Sequence, residues 1–247
     1  MDEMELQRAV EQAREARGLP RKPDAPRRLS ASLLGAIMAP ESADSVARVL
    51  PMTQEESDRR QEQDRRRSEW QRSDFPHRHR VKAWVREESG DAWTRARNQV
   101  LDAVRGNQMV FLIGDRGTGK TQLAASVACE ACMVNGISPR YYRLADLIGR
   151  FKRQVFGEGE DEFTFLSRLS RIGLLVLDEL QERYDTSTEE LILTRLLDHR
   201  YGAMKPTILI ANLKFDALCE VLRPSVMSRA EECGLLIECN WDNYRRG

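Results

Sequence analysis

A glycine-rich segment in the middle of the chain constrains the fold most strongly. Residues 114–121 are Gly-Asp-Arg-Gly-Thr-Gly-Lys-Thr, which match the pattern G-x-x-x-x-G-K-[ST]. The apolar run 109–113 precedes the segment, and a helical pattern over 120–134 follows it. In a strand, loop and helix of this kind, glycines let backbone N–H groups point at phosphate oxygens, and the helix N-terminus adds its positive dipole end. The segment therefore predicts a nucleotide site.

The side chains of this loop predict how the nucleotide is held. Lys120 would reach the β- and γ-phosphates, and the Thr121 hydroxyl would bind Mg²⁺. We accordingly expect ATP and Mg²⁺ as the cofactors. The predicted nucleotide-contacting residues are Gly114, Asp115, Arg116, Gly117, Thr118, Gly119, Lys120, Thr121 and Gln122.

Polar residues follow two later apolar runs. Asp178 and Glu179 come directly after the run 173–177, and Asn212 follows the run 207–211. At the carboxyl edge of a parallel sheet, Asp178 would hold Mg²⁺ and Glu179 would orient and polarise the attacking water. Asn212 would hydrogen-bond the γ-phosphate or that water, or it is an ordinary strand-to-loop cap.

The spacing of apolar runs predicts the fold class. Predicted strands at 109–113, 140–143, 173–177, 207–211 and 235–239, all but the second mainly apolar, are separated by segments with helical periodicity. Continuous rather than alternating apolar strands are typical of a parallel sheet that is covered on both faces. We predict an α/β domain with a five-stranded parallel sheet flanked by helices.

Composition divides the chain near residue 90. We predict a helical, partly flexible partner-binding region over residues 1–72, a linker over 73–90 and the α/β domain over 91–247. The N-terminus is acidic and lacks the apolar core of a secretory signal, and no apolar run approaches the ~18–20 residues that span a bilayer. We therefore expect a cytoplasmic protein with no membrane contact.

The charge composition does not decide whether the protein binds nucleic acid. The 39 basic and 39 acidic side chains argue against a uniformly basic binder, but not against a local patch. Residues 59–86 are the most basic part, with Trp70, Phe75 and Trp84 interleaved. This segment would contact nucleic acid or a partner through charge and stacking, or it is a solvated helix whose aromatic residues dock on the next domain.

One arginine near the end of the chain is a further catalytic candidate. Arg229 lies in a predicted helix over 225–232, ahead of the last strand. In a ring or filament it would reach the neighbour's γ-phosphate as an arginine finger, or it forms a surface salt bridge. Arg200, at the end of a leucine-rich predicted helix over 186–200, is a weaker candidate for the same interface.

These motifs, in this order, resemble the AAA+ ATPases of the DnaC/IstB group, a branch of the P-loop ASCE class. The resemblance covers residues 73–246. Residues 190–213, ELILTRLLDHRYGAMKPTILIANL, resemble the group's helix and sensor-1 strand, and SDFPHRHR resembles its lead-in to the ATPase domain. Residues 226–245, VMSRAEECGLLIECNWDNYR, resemble the end of bacterial DnaC-type helicase loaders. Ser225 stands where the family commonly has a basic residue.

The resemblance implies an ATP-dependent helicase loader. Its subunits would assemble with ATP into a helical or ring oligomer, bind a DnaB-type replicative helicase through the N-terminal region, and hold single-stranded DNA. Related initiators contact DNA through helices after the second strand, which correspond here to residues 144–171. The residues expected at this contact are Arg150, Phe151, Lys152 and Arg153.

Two other interpretations stay open. One is an IstB-like transposition helper ATPase that acts with a transposase on duplex DNA. The other is a nucleotide-gated binding module with little turnover.

Overall fold

The computed structural model describes residues 53–83, 91–182, 187–222 and 224–241. The elements below all belong to the compact unit that begins at Thr53. Most of the predicted N-terminal region, including everything before Thr53, lies outside the described residues.

Five strands form one sheet in the order β2-β3-β4-β1-β5, and every neighbouring pair is parallel. The strands are β1 (Met109–Ile113), β2 (Pro139–Arg143), β3 (Leu174–Asp178), β4 (Thr207–Ile210) and β5 (Gly234–Glu238). All residues of β1, β3 and β4 are buried, because the sheet carries a hydrophobic cluster on each face. The predicted five-stranded parallel sheet is confirmed.

Helices cover both faces of the sheet. They are α1 (Gln54–Gln71), α2 (His77–Lys82), α3 (Asp91–Arg105), α4 (Lys120–Met133), α5 (Leu144–Phe151), α6 (Glu162–Ser170), α7 (Ser187–Gly202), α8 (Phe215–Val221) and α9 (Pro224–Cys233). Within the described ranges, no helix has the length and apolar character that would let it cross a membrane.

The helix that follows β2 is interrupted. It ends as an α-helix at Phe151 and continues as a π-helical segment, Lys152–Gly157. A π-helix is held by hydrogen bonds between residues five apart. Phe151 and Phe156 have this spacing, and their rings meet edge to face with centroids 5.6 Å apart. Phe151 is itself buried in the core, so its ring is not available for the predicted DNA contact.

The basic segment packs on the sheet domain through α1. Trp70 and Phe75 are buried, and the ring of Phe75 lies 4.9 Å from that of Tyr141. Arg66 donates hydrogen bonds to the carbonyl oxygens of Met133 and Val134 at the end of α4, each at 2.9 Å. The docking interpretation is therefore right for Trp70 and Phe75, and the compact domain starts well before the predicted boundary at residue 91; Trp84 lies outside the described residues.

Arg200 has a structural role rather than the interface role we considered. Its side chain is fully buried, and its guanidinium donates to the carbonyl oxygens of Leu169, Ile172 and Pro206 at 2.6–3.0 Å. A fourth bond joins Nε to the Thr207 hydroxyl at 2.8 Å. The side chain thereby ties the end of α6 to the start of β4.

We expect Arg200→Ala to lower the free energy of unfolding by about 3–5 kcal/mol, since it removes the four hydrogen bonds of a fully buried side chain and creates a cavity. Urea denaturation measures this loss. Arg195→Ala on the same helix is the control, because Arg195 is half exposed in its ion pair with Glu162 and should cost less than about 1 kcal/mol. Equal losses in the two variants would contradict the structural role of Arg200.

Candidate nucleotide-binding site

A cavity of about 620 Å³ opens at the carboxyl edge of the sheet. The loop before α4, the end of β3 and Asn212 after β4 line one side of it. Residues around α2 and the start of α3 line the other side. Most of the predicted site residues are therefore brought together around one cavity.

The loop between β1 and α4 depends on its glycines. Gly114, Gly117 and Gly119 all have positive φ angles, at +123°, +91° and +83°, which side chains rarely tolerate. A Cβ on Gly114 would also lie 2.9 Å from the carbonyl oxygen of Cys239, which follows β5. Gly114 is therefore required both by its backbone angles and by the close approach of the chain after β5.

Lys120 is buried at the start of α4. Its ammonium group donates to the carbonyl oxygens of Gly114 at 2.8 Å and Asp115 at 2.6 Å. These acceptors hold the charge over the loop, where phosphate oxygens would be stronger partners than neutral carbonyls. The geometry fits the predicted phosphate contact.

Oxygen ligands for a metal ion lie beside Lys120. The Thr121 hydroxyl donates to Oδ2 of Asp178 at 2.8 Å, and the Asp178 carboxylate is buried. Mg²⁺ prefers hydroxyl and carboxylate oxygens and usually takes few ligands from the protein. Thr121 and Asp178 thus fit the ion that the sequence predicts.

Tyr141 is a member of the site that sequence reasoning missed. Its hydroxyl donates to the same Oδ2 of Asp178 at 3.0 Å, and burial with the adjacent carboxylate raises the pKa of the phenol. Tyr141 therefore stays protonated and remains a donor. The sequence signal that could have identified Tyr141 was its position in β2. That strand pairs with β3, and Tyr141 lies opposite Val176, two residues before Asp178.

Glu179 has an unusual backbone conformation. Its φ is +61°, and its backbone N–H donates to Oδ1 of Asp178 at 2.8 Å. Non-glycine residues in this region carry strain of about 1–3 kcal/mol and are concentrated at functional sites. The turn directs Glu179 to the cavity, which it lines.

Two opposing effects act on the Glu179 carboxyl. Burial raises its pKa, while the guanidinium of Arg143, 3.3 Å away, acts to lower it. In the register of β2 and β3, Arg143 lies opposite Asp178, which places its side chain at the same edge of the sheet. Sequence reasoning did not identify Arg143 as part of the site.

Asn212 lies where the sequence predicts, directly after β4. Its backbone N–H donates to Oε1 of Gln181 at 3.0 Å, and the residue lines the cavity. Gln181 follows Glu179 by two residues, so this bond joins the ends of β3 and β4. The hydrogen bond from Asn212 to the γ-phosphate or the attacking water stays a prediction.

Arg229 lies on α9 and contacts α7. Its guanidinium hydrogen-bonds the carboxylate of Asp198 and lies 5.5 Å from the ring centroid of Tyr201. Within one subunit Arg229 therefore forms a salt bridge, which was the alternative to an arginine finger. An arginine finger at this position would have to exchange that pair for a neighbour's phosphate.

The far side of the cavity includes residues that sequence reasoning did not assign. Pro76, His79 and Trp93 line it. Nδ1 of His79 lies 2.9 Å from Oε1 of Gln122. The predicted contact residue Gln122 is thus held by the segment that precedes the α/β core.

We expect Lys120→Ala to reduce nucleotide affinity at least 100-fold, because the loop loses its buried cation while its fold is retained. Isothermal titration with ATP and ADP measures the change. Lys214→Ala, an exposed lysine before α8, is the control and should bind as the wild type does. Unchanged affinity in Lys120→Ala would refute the phosphate-loop assignment.

Comparisons with known proteins agree with this geometry. The replicative helicase loader DnaC of Escherichia coli K12 is 31% identical over 157 residues, which cover 63% of each chain. The chain thus matches less than two thirds of that relative's length. A crystal structure of the DnaC helicase loader superposes with a TM-score of 0.56 at 22% identity, over 66% of this chain and 99% of the other. AMPPCP-bound DnaA from Aquifex aeolicus gives 0.55 at 20% identity, over 70% and 53%.

These structural likenesses show the fold, an α/β domain with a five-stranded parallel sheet flanked by helices. The family described as "IstB-like ATP binding protein" matches residues 36–240, well over half of the sequence. The chain therefore belongs to the IstB-like ATP-binding family and is related to DnaC helicase loaders.

Proposed function

We propose that this protein is a Mg²⁺-dependent ATPase that loads a DnaB-type replicative helicase onto single-stranded DNA. One observation carries the enzymatic part of the proposal. The same cavity is lined by the buried ammonium group of Lys120 and by Thr121, whose hydroxyl is hydrogen-bonded to the Asp178 carboxylate. It is also lined by Glu179, whose backbone is strained. The similarity to DnaC supports the loader part.

The site would bind the nucleotide by replacing contacts that already exist. The ammonium group of Lys120 would move from loop carbonyls to phosphate oxygens. Thr121 and Asp178 would hold Mg²⁺, which when bound neutralises charge on the β- and γ-phosphates. Tyr141 would continue to donate to Asp178 and keep that carboxylate oriented.

Glu179 would orient the attacking water. Its carboxylate must be ionised to accept a proton, and the raised pKa makes it a better acceptor once it is ionised. The ion pair with Arg143 holds the carboxylate in a defined position and opposes its protonation. Asn212 would fix the γ-phosphate or the water from the neighbouring strand end.

Full activity would require assembly. Arg229 would leave Asp198 and Tyr201 and enter a neighbour's site, where it would stabilise charge on the transferred phosphoryl group. The exchange is feasible because the Arg229 side chain is one quarter exposed and Asp198 is more exposed still. A single subunit would then hydrolyse ATP slowly.

DNA would be bound next to the π-helical segment. Arg150 is exposed and lies 5.2 Å from the Tyr142 ring centroid, and Arg153 is also exposed. Lys152 is less free, since it pairs at 2.7 Å with the buried carboxylate of Glu189. Phe156, 65% exposed, offers the ring surface that the buried Phe151 does not. We propose Arg150, Arg153 and Phe156 as the contacts with phosphates and bases.

The helicase would be bound by the N-terminal region. Of the predicted region 1–72, helix α1 packs against α4 through Arg66 and through the buried Trp70. The partner contact would therefore come mainly from residues 1–52.

A transposition helper is the second candidate. The match to the family described as "IstB-like ATP binding protein" favours it. In this interpretation the chain would act with a transposase on duplex DNA. Preference for duplex over single-stranded DNA would distinguish this activity from helicase loading.

We expect Glu179→Gln to bind ATP with wild-type affinity and to hydrolyse it at least 100-fold more slowly, because the amide cannot accept a proton from water. Phosphate release with Mg²⁺ and single-stranded DNA measures turnover. Glu220→Gln, which changes an exposed carboxylate on α8 outside the cavity, is the control and should retain turnover. If the wild type itself releases no phosphate, the protein is a nucleotide-gated binding module and the enzyme proposal fails.

We expect the full chain to capture the host's DnaB-type helicase and a chain of residues 53–247 to lose that capture while it still binds ATP. Affinity capture on purified proteins measures the first, and nucleotide titration measures the second. Retention of ATP binding shows that the shorter chain is folded. Failure of the full chain to bind the helicase would contradict the loader proposal and leave the ATPase site intact.

A further inference from the structure

The chain that follows β5 runs along the phosphate loop. We call residues 239–241 the tail segment. The backbone N–H of Cys239 donates to the carbonyl oxygen of Ile113 at 2.8 Å, directly before the loop. At the other end of the loop, the indole N–H of Trp241 donates to the carbonyl oxygen of Thr118 at 2.6 Å. The tail segment thus contacts the loop where it begins and where it enters α4.

The bond from Trp241 acts on a peptide unit that matters for phosphate. The Thr118 carbonyl and the Gly119 N–H belong to one planar trans peptide, so they point in opposite directions. A donor that holds the carbonyl towards the tail segment therefore holds the N–H of Gly119 away from it. Gly119 lines the nucleotide cavity, and this N–H belongs to the N-terminal end of α4.

Glycine makes this peptide unit easy to reorient. Gly119 has a φ of +83° and no Cβ, so its backbone can adopt both signs of φ at little cost. A flip would turn the Thr118 carbonyl towards the phosphates and replace a favourable N–H by a repulsive oxygen. The Thr118 side chain does not prevent this, because its hydroxyl bonds the Asp115 carbonyl within the loop.

Trp241 is well placed to prevent the flip. Its ring is partly buried and packs against the hydrophobic cluster on one face of the sheet, which limits its motion. The indole has one strong donor and no acceptor, so it binds a carbonyl and rejects an N–H at the same position. The bond therefore selects one of the two peptide orientations.

We propose that Trp241 is a positioning residue for the phosphate loop, which holds the Thr118–Gly119 peptide with its N–H directed at the nucleotide phosphates. The inference rests on the proposed nucleotide function. It assigns a role in nucleotide binding to a residue more than a hundred positions from the loop in sequence.

The test compares a phosphate-bearing ligand with one that lacks phosphate. In Trp241→Phe the ring packing is largely kept and the N–H donor is lost. We expect affinity for ADP to fall about 10-fold, as for the loss of one hydrogen bond to a charged group, and affinity for adenosine to stay unchanged. Titration calorimetry measures ADP, and NMR titration measures the weaker adenosine. Trp70→Phe, which trims a buried ring of the same cluster, is the control and should change neither affinity.

A second variant removes the donor without changing the ring size. Cys239 allows a synthetic peptide of residues 239–247 to be ligated to the rest of the chain, with 3-benzothienylalanine at position 241. Sulfur replaces the indole N–H in this isostere. We expect the same selective loss of ADP affinity, together with a shift of the Gly119 amide resonance in ¹⁵N-labelled protein.

The outcomes separate this role from the proposed function. Equal losses for ADP and adenosine, or an isostere that binds ADP as the wild type does, would overturn the positioning role and leave the nucleotide site standing. A wild-type chain that binds no ADP would overturn the nucleotide site and the role of Trp241 with it. A selective loss of ADP affinity in both variants supports the proposal.

Discussion

The buried carboxylate of Asp178 is the contact on which the site depends. It accepts hydrogen bonds from Thr121 on α4, from Tyr141 on β2 and from the backbone of Glu179. A buried carboxylate is costly unless such donors satisfy it, so these three donors offset the cost of burying Asp178 and in turn are oriented by it. One anionic group thus aligns the phosphate loop, the neighbouring strand and the strained residue that would orient water.

Much of the fold could be predicted from the sequence because its elements are determined locally. Continuous apolar runs identified the three central strands β1, β3 and β4, since a parallel sheet covered on both faces buries every residue of its central strands. The glycine pattern before Lys120 identified the loop, because the observed positive φ angles favour glycine. Asp178 and Asn212 could be placed because strand ends meet at one edge of the sheet.

What could not be predicted depends on contacts between distant segments. Arginine is usually exposed, so nothing local shows that Arg200 is buried among carbonyl groups of α6 and β4. The roles of Tyr141 and Arg143 depend on the register of β2 against β3. The π-helical segment after Phe151 depends on aromatic packing that periodicity does not reveal. The positive φ of Glu179 is strain that the surrounding structure imposes.

The contacts of helix α1 determine how a force applied to its N-terminal end is transmitted. Arg66 donates to two carbonyl groups at the C-terminal end of α4, the helix whose N-terminal end lines the cavity, and Trp70 anchors α1 in the core. Peeling α1 away would expose a buried ring and break both hydrogen bonds, at a cost of a few kcal/mol. A force that pulls on the start of α1 therefore acts through a stiff connection, which carries it to the helix that begins at the glycine-rich loop.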